Sequence, residues 1–345
     1  MRVAGVPRRS IALAADGWAV EIVDQTALPG SFRIVRLESL GAVADAIRAM
    51  RLRGAPLIGV AAAYGVALAM RADPSDRSLD DAERALLRTR PTAVNLRAAV
   101  DDLAMRLRPL TPGERARAAY DRAAALCDAD VEINRAIARH GIALIRDRWL
   151  RLQRPVNVMT HCNAGWLATV DGGTALAPVY LAHAEGIPLH VWVSETRPRN
   201  QGALTAWELA QERVPHTVFV DAAAGHLMQQ GRVDLCLVGT DRTTARGDVA
   251  NKIGTYPKAL AARAHGVPFY VAAPSPSIDW TLNDGREIPI EERDGGEIAT
   301  VSGAAVLNVA FDVTPAELVT GLITERGICP ATRDGLAQLF PDRIA

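Results

Sequence analysis

The sequence has no C-x-x-C pair. Its four cysteines, Cys127, Cys162, Cys236 and Cys329, lie far apart. That spacing argues against a zinc site or a disulfide framework and suits a reducing, cytoplasmic compartment. Neither sign of charge is in excess: 39 Lys and Arg balance 39 Asp and Glu. No long basic run appears, so no nucleic-acid partner is expected. No apolar run reaches the ~20 residues that span a bilayer, so no membrane partner is expected either. The longest, Ala55 to Met70, is flanked by arginines and holds Pro56 and two glycines, which suits a tightly packed, buried helix. The basic stretch Met1 to Arg9 leads into a short mixed segment, unlike a signal peptide.

Several motifs are missing as well. There is no G-x-x-x-x-G-K-S/T loop for nucleotide phosphates and no G-x-S-x-G elbow for a hydrolase triad. No G-x-G-x-x-G follows the first strand of the expected sheet, which disfavours a dinucleotide. No His or second carboxylate stands at ligand spacing near Asp241, so no metal is expected there. The expected cofactor set is none.

What is present falls into two halves. Residues 17–37 read as short strands, with Val20, Ile22 and Val23 ahead of a partial alternation from Phe32 to Leu37. From Ser39 to about Leu152 the pattern is helical, with apolar residues three and four apart at Val43, Ile47 and Met50 and again from Ala118 to Ile137. Pro91, Pro109 and Pro112-Gly113 divide this region into separate helices. Past Pro155 the pattern changes. Strand-like runs at Val156–Thr160, Leu189–Val193, Thr217–Val220, Leu235–Val238 and Phe269–Ala272 alternate with helical ones at Leu176–Glu185, Leu204–Glu212, Ala222–Gln230 and Val249–Ala264. Alternation of this kind predicts an α/β fold with a parallel sheet covered by helices. The expected domains are 1–150, small and mostly helical with short β-strands, and 151–345, the parallel-sheet domain.

Ligands on such sheets bind outside the carboxyl ends of the strands. Cys162, in Thr160-His161-Cys162-Asn163-Ala164-Gly165, falls just past one strand end, and Asp241 just past another. A helix N-terminus beside Cys162 would favour its thiolate; core filling is the other reading. His161 adjoins the thiol, but its ring as readily faces away. Asp241 is either a helix cap or an acid. Gly247 to Thr255 is read as opening a helix, with Asp248 as its N-cap and Asn251 and Lys252 as donors to a phosphate or sugar hydroxyl. Arg53, Gly54 and Ala55 precede the buried helix, and Arg90 precedes another; both arginines are either phosphate ligands or solvated. The polar run from Glu195 through Gln201 to Gly202 is long enough to line a site.

Taken in order, these segments resemble the methylthioribose-1-phosphate isomerases, in the superfamily shared with the regulatory subunits of initiation factor 2B. The pieces that carry the resemblance are Arg53-Gly54-Ala55-Pro56, the run Arg90 to Leu96, Thr160 to Gly165, Glu195-Thr196-Arg197-Pro198 with Gln201-Gly202, Gly247 to Tyr256, and Ile288 to Arg293. The resemblance spans nearly the whole chain. It implies a helical N-terminal domain, a Rossmann-like catalytic C-terminal domain and a homodimer. It also implies conversion of 5-methylthioribose 1-phosphate to its ketose 1-phosphate in methionine salvage, with a small sugar phosphate as the substrate. Carried onto matching positions, it makes Cys162 and Asp241 the catalytic pair. Arg53, Gly54, Ala55, Arg90, Gln201, Asn251 and Lys252 become substrate-binding. Gly239-Thr240 stands where the family more often has Gly-Ala, which adds a hydroxyl beside Asp241. The alternatives are a 5-deoxyribose 1-phosphate or ribose 1,5-bisphosphate substrate, or a non-catalytic regulatory subunit.

Overall fold

The structure is a computed structural model and describes residues 1–298 and 303–343. Packing divides the chain into two units: 1–134 with 166–173, and 135–165 with 174–345.

The first unit begins with a small hairpin of β1 (Arg2–Val3) and β2 (Val6–Pro7). An antiparallel sheet of β3 (Ile11–Leu13), β4 (Val20–Val23) and β5 (Ile34–Leu37) follows. Helices α1 (Leu40–Arg48), α2 (Ala55–Ala72), α3 (Asp76–Leu87) and α4 (Val94–Leu107) come next. Ser39 and Ser75 start α1 and α3 by accepting the backbone N–H of Ala42 and Ser78 on their hydroxyls. Helix α2 is apolar on every side, so it forms the centre of the unit and is buried without a break from Leu57 to Met70. By length and composition it could cross a membrane, yet 83% of it is buried here, as in a core helix. Its two glycines let neighbours approach. A Cβ on Gly59 would lie 2.9 Å from the Asn95 carbonyl of α4, and one on Gly65 would meet Val43 and Leu86 at 3.2 Å.

Helix α5 (Pro112–Leu152) runs unbroken through the point where the units divide. The cut expected near residue 150 therefore falls inside a helix. The packing changes partners after Asn134, and the segment 166–173 belongs with the first unit.

The second unit continues with β6 (Val156–Thr160), α6 (Ala177–Ala184), β7 (Leu189–Ser194), α7 (Gln201–Gln211), β8 (His216–Phe219), α8 (Ala224–Gln229) and β9 (Leu235–Val238). Then come β10 (Arg242–Thr244), β11 (Val249–Lys252), α9 (Thr255–Ala264), β12 (Phe269–Ala272), β13 (Ile278–Asp279), β14 (Phe311–Thr314), β15 (Gly321–Thr324), β16 (Gly327–Cys329) and α10 (Arg333–Leu339). Seven strands form the main sheet in the order β16-β15-β12-β9-β6-β7-β8, parallel except for β16. Val156, Val158, Val191, Val193 and every residue of β9 are buried, as expected of strands covered on both faces. A second sheet orders β13-β10-β11-β14.

Two local expectations are corrected. Residues Val249–Lys252 are strand β11, not the opening of a helix, because they pair antiparallel with both β10 and β14. Asp248 accordingly caps no helix; its carboxylate accepts the N–H groups of Gly285 and Ala316, each at 2.9 Å.

Candidate active site

The order of the main sheet reverses at one place. From β6 the chain builds outward through β7 and β8, then returns to lay β9 against the other side of β6. The crevice between the ends of β6 and β9 is the topological switch point, where open α/β sheets bind their ligands. Cys162 follows β6 and Asp241 follows β9, so the two candidates end adjacent parallel strands. The loops touch: a Cβ on Gly239 would lie 3.0 Å from that of Ala164.

Cys162 is half-buried, whereas Cys127, Cys236 and Cys329 are buried. Its backbone is left-handed, with φ 64°. Its N–H donates to Thr196 Oγ1 at 2.9 Å, and its carbonyl accepts from Thr205 Oγ1 at 2.8 Å. The α-helix expected to follow the thiol loop directly is not there. A single 3-10 turn, Trp166–Ala168, follows the loop, and α6 begins only at Ala177. Residue 165 has to be glycine here, since the Glu208 carboxylate stands where a Cβ would be.

His161 does not form a dyad with the thiol. Its Nε2 meets the Ile253 carbonyl at 2.8 Å, and a carbonyl only accepts, so Nε2 carries the proton. Burial, aided by the nearby Lys258 ammonium, pushes the imidazole down to about 3. It is neutral at physiological pH.

Asp241 is half-buried and caps no helix; it leads into β10, and its N–H donates to the Ala250 carbonyl at 3.0 Å. The added Thr240 hydroxyl turns into the protein, 3.0 Å from Thr243 Oγ1 and 3.2 Å from the Ala250 carbonyl.

The loop after β7 meets the Cys162 loop through Thr196. Asp221, at the end of β8, accepts the N–H of Thr196 at 2.9 Å, the N–H of Arg197 at 2.8 Å and the Ser194 hydroxyl. Burial pushes this carboxyl up, but those hydrogen bonds and Lys258 outweigh it and hold it below the usual carboxylate range. Gln201 opens α7 and is 3% exposed, and its buried Oε1 makes no hydrogen bond among the described residues.

Asn251 and Lys252 sit at the end of β11. Asn251 Nδ2 donates to Thr255 Oγ1 at 3.0 Å; Lys252 Nζ donates to the Ala310 carbonyl at 2.9 Å and lies 4.6 Å from the Phe311 ring. The N–H groups of Gly254 and Tyr256, where α9 starts, donate to the Asp312 carboxylate rather than facing a ligand phosphate. In the first unit, Gly54 is the N-cap of α2 with φ 106°, and Arg53 and Ala55 flank it. Arg90 stands just ahead of α4. Both arginines are half-buried.

Sequence reasoning missed Thr205, Glu208 and Asp221, and placed Thr196 only within the site-lining run from Glu195 to Gly202. One signal was available: Gln201, Thr205 and Glu208 recur at i, i+4 and i+7, a polar stripe on the buried face of α7.

A family model described as the initiation factor 2 subunit family matches residues 51–331. A methylthioribose-1-phosphate isomerase of Rhodospirillum rubrum is 58% identical, over 99% of this chain and 94% of its own. The chain belongs to the initiation factor 2 subunit family, among its methylthioribose-1-phosphate isomerases. The fold is similar to that of 5-methylthioribose 1-phosphate isomerase from Pyrococcus horikoshii, with a TM-score of 0.86 and 39% identity over 97% of this chain and 96% of that one. It is also similar to translation initiation factor eIF-2B, subunit delta, from A. fulgidus, with a TM-score of 0.82 and 37% identity over 97% and 100%.

Proposed function

We propose that this chain isomerises 5-methylthioribose 1-phosphate to 5-methylthioribulose 1-phosphate in methionine salvage, with Asp241 as acid and Cys162 as base. The observation that carries the assignment of the pair is their placement on the two strands that flank the switch point. The 58% identity to isomerases along the full chain supports catalysis over a regulatory role.

A sugar whose C1 oxygen carries phosphate cannot open to a free aldehyde. The bond from C1 to the ring oxygen must break while the phosphate stays on C1. Asp241 donates the proton that the departing ring oxygen takes up. Hydrogen then moves from C2 to C1. In an enol route Cys162 removes the C2 proton, its thiol then gives a proton to C1, and the Asp241 carboxylate takes the proton of the 2-hydroxyl. In a hydride route C2 passes hydride to C1 and Cys162 takes the proton of the 2-hydroxyl. Either way a ketone forms at C2; in the hydride route the proton on the Cys162 thiol then passes back to the Asp241 carboxylate through solvent, which resets both groups.

Arg53 and Arg90 are read as phosphate ligands, with Gly54 and Ala55 offering backbone contacts. Gln201, Asn251 and Lys252 are read as sugar ligands, the buried Gln201 Oε1 accepting from a hydroxyl. The two packed units are taken as a helical N-terminal domain and a catalytic domain. The working protein is read as a cytoplasmic homodimer that uses no cofactor and has neither nucleic acid nor membrane as a partner.

The test is steady-state kinetics on purified protein. Cys162→Ser and Asp241→Asn should each lower kcat by ~10²–10⁴ with the fold intact. Full activity in either would remove that residue from the mechanism. An assay against 5-methylthioribose, 5-deoxyribose and ribose 5-phosphate forms of the 1-phosphate should favour the first; a preference for the bisphosphate would sink the methylthio assignment.

A further inference from the structure

A half-buried cysteine held at φ 64° occupies a backbone region that side-chain-bearing residues avoid, at a cost on the order of 1 kcal/mol or more. Such a conformation persists only where the surroundings enforce it. Here the enforcing groups can be named. Thr196 accepts the Cys162 N–H, and Thr205 donates its single hydroxyl proton to the Cys162 carbonyl. With that proton committed, Thr205 Oγ1 accepts from Asn163 Nδ2 at 3.1 Å. The same amide nitrogen donates to Glu208 Oε1 at 2.8 Å. Glu208 Oε2 accepts from the Tyr180 hydroxyl at 2.8 Å. Thr196, Thr205 and Glu208 are fully buried. The network branches at Asn163: its amide donates to Glu208, which also accepts from Tyr180, and to Thr205, which donates to the Cys162 peptide, so Glu208 reaches Cys162 by fixing Asn163.

We propose that Thr205 and Glu208 are positioning residues that hold Cys162 in its left-handed conformation and so aim its thiol at the substrate. The proposal rests on the reading of Cys162 as the base. The helix face that offers Gln201 at its first turn clamps the thiol loop with its next two turns, so thiol and sugar ligand share one rigid support. A base misplaced by a fraction of an ångström loses rate while substrate affinity survives. Neither residue needs to touch substrate.

The experiment uses the full-length protein. Thr205→Val keeps the shape and removes the hydroxyl. It should lower kcat about 10–100-fold and leave KM within about two-fold. Thr205→Ser, which retains the donor, should recover most of the lost rate. The pH dependence of iodoacetamide alkylation at Cys162, followed by mass spectrometry, should shift in the valine variant. Unchanged kcat together with an unchanged alkylation profile overturns the proposal, as does a loss confined to KM. If the valine variant does not fold, Glu208→Gln carries the test, with a smaller fall in kcat expected at constant KM; wild-type kcat and alkylation would again overturn it. Cys162→Ser separates the two levels. Its full activity would remove Cys162 as base, whereas an inactive Cys162→Ser beside a fully active Thr205→Val removes only the clamp.

Discussion

The imidazole of His161 and the carbonyl of Ile253 are locked at 2.8 Å, with the proton on Nε2. This contact joins the loop that bears Cys162 to the end of the hairpin of β10 and β11; a charged ring could also donate here, and it is burial, with Lys258 nearby, that keeps the ring neutral. The folded-state value of about 3 lies below the unfolded 6.5, so the unfolded chain binds the extra proton between these limits. The stability this group contributes is present above pH 6.5 and is lost as pH falls toward 3. His161→Gln should flatten the acid limb of the stability profile by about one proton. Urea unfolding between pH 4.5 and 7 measures the slope; an unchanged slope would show that His161 does not set it.

Asp130 gives the opposite sign. Burial pushes its carboxyl up to about 7, against hydrogen bonds from the Val170 N–H and Asn134 Nδ2. Both of those bonds end on Oδ2, at 2.7 and 3.1 Å. The folded value lies above the unfolded one, so its contribution is full below pH 4 and is lost as pH rises through 7. Asp130→Asn can keep both bonds on its one carbonyl oxygen and sheds the buried charge. At pH 8 it should be more stable than the parent by on the order of 2 kcal/mol, with the gain gone by pH 4. Thermal melts at the two pH values test this; a variant less stable at pH 8 would contradict it.

Gly54→Ala should be severe. The residue has φ 106°, and a Cβ there would collide with the backbone of Ala168. Strain and overpacking together should cost roughly 3 kcal/mol or more. A urea midpoint within error of the parent would refute the close approach.

Arg53 and Arg90, as phosphate ligands, should act on binding. Arg90→Ala should raise KM by about 10–100-fold, in line with the loss of a charge-assisted hydrogen bond. Arg53→Lys keeps the charge but loses the planar fork, and should raise KM less than Arg53→Ala. Unaltered KM in the alanine variants would leave both arginines as structural or solvated groups.

The strands β6, β7, β8, β9 and β12 were legible because short apolar runs bounded by Pro, Gly and polar residues have few other uses in a chain of this kind. Strands β10 and β11 were not. Arg242-Thr243-Thr244 and Val249-Ala250-Asn251-Lys252 carry too little apolar pattern, and only pairing with each other and with β13 and β14 makes them strands. Cys162 and Asp241 stood out as chemistry-bearing residues at strand ends. Thr205, Glu208 and Asp221 did not, and Thr196 only as one member of a polar run, since a single hydroxyl or carboxylate reads as a solvated group until something is packed over it.

By itself the sequence determined the α/β class, the strand ends on which Cys162 and Asp241 stand, and, through its ordered motifs, the family. These rest on local periodicity and residue identity, which a linear chain carries in full. The tertiary structure decided that β9 lies against β6, which makes those two strand ends neighbours. It decided that His161 turns to Ile253, and that a 3-10 turn rather than an α-helix follows the thiol loop. It also decided that α7 clamps the Cys162 peptide. Each of these depends on which distant segments meet, and burial and hydrogen-bond satisfaction settle that only once the whole fold has formed.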